Sequence, residues 1–131
     1  MKVYIAGKFG DKALVLEAFA RIRELGHSIA YDWTTHKNIQ PYAQNQGTAR
    51  AYSENELAGI ADCDVFIYLS SDGGHTLHME FGSALMLARK AGKPMVYAVG
   101  EFNDRSPWFF NGLVRRRDTI DEVIAELRGA Q

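Results

Sequence analysis

The sequence predicts a three-layer α/β/α domain on a parallel sheet, and three observations carry that prediction. Short apolar runs alternate with segments of helical period. Residues 65–69, Val65-Phe66-Ile67-Tyr68-Leu69, are apolar throughout, as in a strand covered on both faces. Glycines punctuate the boundaries, at Gly7, Gly26, Gly73-Gly74, Gly92 and Gly100. With 131 residues, 47% of them hydrophobic, the chain has room for one domain spanning 1–131, whose core needs no disulfide or metal staple.

Val3-Tyr4-Ile5-Ala6 is the first strand, ending at Gly7. From Asp11 the apolar residues Leu14, Ala18, Ile22 and Leu25 recur at helical spacing, with Gly26 as the stop. Ser28-Ile29-Ala30-Tyr31 reads as a second strand. Residues 32–47 are polar and contain Pro41, a loop long enough in a small domain to suggest function. Thr48 is placed to cap a helix carrying Ala51, Leu57 and Ile60, and the third strand follows. Residues 70–74 break the chain before a helix over about 76–91, closed by Gly92. Residues 95–99 form the fourth strand, Val114 starts a short edge strand, and 120–127 form the last helix. Right-handed crossovers between four or five strands give the flavodoxin-like (Rossmann-like) order 2-1-3-4-5. Ligands of such sheets sit beyond the strand carboxyl ends, where strands 1 and 3 diverge. That rule nominates residues 7–10, the start of the 32–47 loop, and 70–80.

Composition narrows the partners. Fifteen Lys and Arg against sixteen Asp and Glu give a formal charge of −1, which offers no bulk attraction to polymeric nucleic acid. The single cysteine, Cys63, excludes an internal disulfide framework and a multi-cysteine zinc site; its apolar neighbours mark it as a core-edge residue. No apolar run approaches the roughly 18–20 residues of a membrane span, and the first strand begins too early for a signal peptide, so a soluble cytoplasmic domain is expected.

The segment Asp72-Gly73-Gly74-His75-Thr76-Leu77-His78-Met79-Glu80-Phe81-Gly82-Ser83-Ala84 is the richest in chemistry. Its glycines make a mouth, Thr76 or a neighbour caps the helix, and Glu80 lies about one turn inside. Amide groups and helix dipole there favour an ionised carboxylate, which a carboxylate nucleophile needs. Glu56, on the preceding helix, can look into the same crevice, and a nucleophile with an acid suits displacement at an anomeric carbon. Each carboxylate has a bland counterpart: stability in a first helical turn for Glu80, a solvated helix face for Glu56. His75 and His78 lack the third ligand and the H-E-x-x-H pattern of a metal site, so no metal is assigned. Gly7-Lys8-Phe9-Gly10 carries neither dinucleotide nor P-loop spacing, and a plain turn suits it equally. Trp33, with His36 nearby, fits both a face for stacking on a base and edge-of-core packing. The Trp108-Phe109-Phe110-Asn111 cluster fits local core, a lid or a subunit contact. Arg115-Arg116-Arg117 reads as a solvated strand end balanced by Asp118, Asp121 and Glu122.

Taken in order, Val3-Tyr4-Ile5-Ala6-Gly7, Glu56-Leu57 with Ile60, Asp64-Val65 and Glu80-Phe81-Gly82-Ser83-Ala84 resemble the nucleoside 2-deoxyribosyltransferase family over roughly residues 1–100. The resemblance implies an enzyme in which Glu80 attacks C1′ of a 2′-deoxynucleoside and a second base displaces it from the covalent sugar. It implies Glu56 where the family carries an aspartate handling the leaving base's proton, with Asp72 as the alternative. Gly7, Lys8, Phe9, Trp33, Gly74 and His75 then line the substrate site, and Asn111 takes the part of a residue lent by a neighbouring subunit. No cofactor is implied; the partners are a small nucleoside, a free base and further copies of the chain in a homo-oligomer with shared sites. Relatives that hydrolyse 2′-deoxynucleoside 5′-monophosphates share the chemistry and need phosphate donors, for which this chain offers Lys8, Ser70, Ser71 and Thr76 but no first-loop arginine.

Overall fold

The computed structural model describes residues 1–130. Five parallel strands, β1 (Lys2–Ala6), β2 (Ser28–Ile29), β3 (Val65–Leu69), β4 (Met95–Val99) and β5 (Val114–Arg117), lie in the order β2-β1-β3-β4-β5. The helices are α1 (Lys12–Glu24), α2 (Gln46–Asp62), α3 (His75–Ala91) and α4 (Ile120–Arg128). The flavodoxin-like order is therefore observed, with its switch point between β1 and β3. Among the described residues, no helix is long and apolar enough to cross a membrane.

Alternation along the strands builds two cores. Val3, Ile5, Val65, Ile67 and Tyr97 pack against Val15, Phe19 and Ile22 of α1 and Val123 and Leu127 of α4. Tyr4, Ala6, Phe66, Tyr68, Val96 and Ala98 face the other way, toward Ile60 of α2 and Leu77, Phe81, Ala84 and Leu85 of α3. All five β3 residues are buried, as a central parallel strand requires. Cys63 is fully buried; its thiol donates to the Ile60 carbonyl at 3.1 Å, and burial pushes its pKa up to about 12, which makes it inert packing.

Several local expectations are corrected. Leu14 is exposed, and α1 buries Val15, Ala18, Phe19 and Ile22 instead. Helix α2 starts at Gln46, so Thr48 lies inside its first turn and caps nothing. Leu57 and Ala51 also point outward. The inward stripe of α2 is Ala49, Tyr52, Glu56, Gly59 and Ile60, mostly polar or small because its upper part faces a cavity instead of the sheet. Helix α3 begins at His75 after Gly74, whose φ of +91° and ψ of 94° favour glycine; no side chain caps it, Thr76 included. The arginine run is β5: Arg117 pairs with Glu126 at 2.6 Å and Arg116 donates to the Asn103 carbonyl at 3.0 Å. Asp121 pairs with Arg21, not with that run.

Gly59 controls how closely α2 approaches β1. A Cβ there would stand 2.7 Å from Tyr31 Cβ and 3.1 Å from the Tyr4 ring. Gly59→Ala is therefore expected to lower unfolding free energy by about 1–3 kcal/mol, the usual cost of overpacking. Urea titration of the two proteins checks this; an unchanged midpoint contradicts the packing described.

Candidate active site

The switch point opens into a cavity of about 640 Å³. Its floor comes from Gly7, Lys8 and Phe9 after β1, and one wall from Gly74, His75, Thr76, Leu77 and Glu80 of α3. Tyr52, Ser53 and Glu56 of α2 form the opposite wall, while the loop after β2 folds over through Trp33, His36 and their neighbours. Eight of the ten residues nominated from the sequence lie here: Glu80, Glu56, Gly7, Lys8, Phe9, Trp33, Gly74 and His75. Asp72 and Asn111 do not line it. Asp72 is exposed in the loop before α3, and Asn111 is exposed where its Oδ1 accepts from the Leu113 amide at 3.0 Å.

Glu80 and Glu56 meet at the base of this cavity. Each carboxyl perturbs the other's proton affinity, and Tyr4, projecting from β1, donates its hydroxyl to Glu80 Oε2. Burial pushes the Glu80 pKa up to about 8; the Tyr4 hydroxyl opposes the shift and Glu56 reinforces it. Burial also raises Glu56, while contact with Glu80 pulls it back. Two carboxyls this close share a proton and titrate as a pair. The expectation that helix amides hold Glu80 ionised is thus overturned. Glu80 is the sixth residue of α3, in its second turn, and its carboxyl reaches sideways to Tyr4 instead of toward the free N–H groups.

The environment of Glu56 is built as carefully. His36 Nδ1 lies 4.0 Å from Glu56 Oε1, and His36 Nε2 is 2.6 Å from the Tyr31 hydroxyl. The imidazole stacks flat on Tyr52, with centroids 3.7 Å apart and planes 4° from parallel. Burial lowers the His36 pKa, partly offset by Asp32, so the ring is neutral near pH 7. Lys37 donates its amide to the Tyr52 hydroxyl at 3.1 Å, tying loop to helix.

Trp33 takes its edge-of-core role. It is buried, donates its indole N–H to the Ile5 carbonyl at 2.6 Å, and meets Phe9 at a tilt with centroids 6.3 Å apart. Only 6% exposed, it still lines the cavity. His78 packs against Tyr68, and among the described residues no group of three His, Cys, Asp or Glu is arranged to hold a metal. Ser70 and Ser71 line a separate hollow of about 390 Å³, and their hydroxyls accept from the Phe102 and Gly73 amides. Sequence reasoning missed Tyr4, Tyr31 and Tyr52. Tyr4 carried a signal, since a phenol inside a buried apolar strand needs a partner for its hydroxyl. Tyr52 carried another, lying four residues before Glu56 and so on the same helix face.

No protein-family model matches the chain, and no curated protein matches it. Among solved structures, the Clostridium botulinum CMP N-glycosidase BcmB is similar, with a TM-score of 0.62 over 97% of this chain and 97% of its own, at 17% identity. That likeness extends over the whole domain and agrees with the fold described above.

Proposed function

We propose that this protein cleaves the N-glycosyl bond of a 2′-deoxynucleoside and transfers the sugar to another base. The observation that carries the reading is the contact pair Glu56–Glu80, with Tyr4 on Glu80, at the bottom of a switch-point cavity. The pair holds a nucleophile and a proton at once. When the shared proton passes from Glu80 to Glu56, the Tyr4-bonded Glu80 carboxylate attacks C1′. The C1′–N electron pair passes to the base nitrogen, Glu56 gives that base its proton, and a 2-deoxyribosyl ester forms on Glu80. An incoming base then attacks C1′, returns its proton to Glu56 and frees Glu80. Carboxyls close enough to act on each other's protons suit the roughly 5–5.5 Å spacing of double displacement better than the roughly 6.5–9.5 Å that single displacement by water requires.

The phosphate donors divide between two hollows: Lys8 and Thr76 line this cavity, whereas Ser70 and Ser71 line the smaller one, which Lys8 also borders. The second reading is hydrolysis of a nucleoside monophosphate, favoured by the similarity to a CMP N-glycosidase. Incubating the protein with deoxyinosine and adenine decides between them. Deoxyadenosine formation is expected; base release from a monophosphate, with no transfer to added base, overturns the transferase reading.

The acting unit we propose is a homo-oligomer. Met79, Gly82, Ser83 and Met86 share one face of α3, and Gly82 admits the Trp108 ring at 3.6 Å from where a Cβ would stand. Met79, Met86, Trp108 and Phe110 are 69%, 59%, 56% and 59% exposed, an apolar stripe beginning beside Glu80 in the chain. A second copy covering it would wall the cavity. Trp108→Asp is expected to shift sedimentation toward monomer and to cut exchange activity; a fully active wild-type monomer contradicts the arrangement.

A further inference from the structure

We infer that His36 is a positioning residue for Glu56, held by Tyr31 and Tyr52 so that its Nδ1–H meets the carboxylate that appears when Glu56 protonates the leaving base. The inference rests on the glycosyl-transfer reading above and extends it to a residue outside the carboxyl pair.

The geometry orients the ring at three points. Tyr52 covers one face and fixes the plane. Tyr31 engages Nε2 at 2.6 Å. In this arrangement the Tyr31 O–H donates to Nε2, which leaves the ring proton on Nδ1, on the side of the Glu56 carboxyl. Nδ1 points toward Glu56 Oε1 at 4.0 Å, a separation that tightens to a hydrogen bond once charge develops there. The proton balance is simple. Glu56 loses its proton to the base as the C1′–N bond breaks, His36 keeps its own, and the Nδ1–H stabilises the new carboxylate. In the second half-reaction the incoming base returns a proton to Glu56. The neutral ring leaves protonated Glu56 undisturbed beforehand, so its help is concentrated in the transition state.

A leaving group that needs no proton separates this role from a merely structural one. His36→Ala is expected to slow base release from deoxyadenosine by about 10²-fold, the lower end of what general acid catalysis supplies. Release of para-nitrophenol from para-nitrophenyl 2-deoxyriboside should fall far less, and His36→Gln, which retains an N–H donor, should recover part of the deoxyadenosine rate. Nitrogen chemical shifts of His36 should report the Nδ1–H tautomer in the wild type and a mixture in Tyr31→Phe. Equal slowing of both substrates by His36→Ala, or an Nε2–H tautomer in the wild type, overturns the assignment while leaving the carboxyl pair intact. If Glu80→Ala cleaves both substrates at the wild-type rate, the reading of the pair fails and the role of His36 falls with it.

Discussion

Glu80→Ala is expected to lower base exchange by about 10⁴-fold or more, because it removes the atom that bonds to C1′ and not merely a contact. Wild-type protein incubated with a 2-fluoro-2-deoxy nucleoside should gain one sugar mass on the peptide carrying Glu80. The fluorine destabilises the oxocarbenium-like transition states, and with no acceptor base added the ester has nothing but water to discharge it, so it accumulates. Glu56→Gln should behave differently, keeping the nucleophile and losing the acid, so that exchange falls while the para-nitrophenyl glycoside still forms the adduct. An adduct on any other residue, or exchange that survives in Glu80→Ala, removes Glu80 from the mechanism.

The second large effect is on stability. Glu80 has a pKa near 8 in the folded protein, against an ordinary value of 4.5, so between those values the native state holds more protons than the unfolded chain. Whatever Glu80 contributes to stability is fully present below about pH 4.5 and is lost as the pH rises through 8. Each pKa unit corresponds to about 1.4 kcal/mol, so the loss is on the order of a few kcal/mol. Glu80→Gln keeps an acceptor for the Tyr4 hydroxyl and cannot ionise. It should match wild type in urea unfolding near pH 5 and exceed it by a few kcal/mol near pH 9. Glu56 adds in the same direction, since the variant also relieves its like-charged neighbour. An offset that is identical at both pH values would falsify the buried-pair description.

These two results would describe a site kept at a cost. An apolar side chain at position 80 would carry no ionisable group and no pH-dependent cost. The chain instead buries two carboxyls and surrounds them with hydroxyls and one imidazole. Stability at high pH is given up for a nucleophile and an acid with overlapping proton affinities. The same trade explains why α2 lacks an apolar inward stripe. Its buried-facing positions serve the cavity along Tyr52 and Glu56, and it meets the sheet only at Gly59 and Ile60.

Much of this protein was determined by sequence alone. The alternation of Val3, Tyr4, Ile5 and Ala6, the fully apolar β3 and the glycine stops define element type and order, because these are local properties of period and backbone freedom. The switch-point rule then places Gly7, Gly74, His75 and Glu80 at one cavity without coordinates. Tertiary structure decided the rest, for a physical reason common to every correction. Whether Leu57 or Tyr52 faces inward depends on what lies opposite α2, and there a cavity replaces the sheet. Whether Glu80 is ionised depends on Tyr4, Glu56 and the exclusion of water, which the helix dipole cannot foretell. Asp72 and Asn111 sit close to the site in the chain's logic yet outside its cavity, since loop direction is set by packing across the sheet. Burial and proximity between distant segments are properties of the folded chain, and the chemistry of Glu56, Glu80 and His36 exists only there.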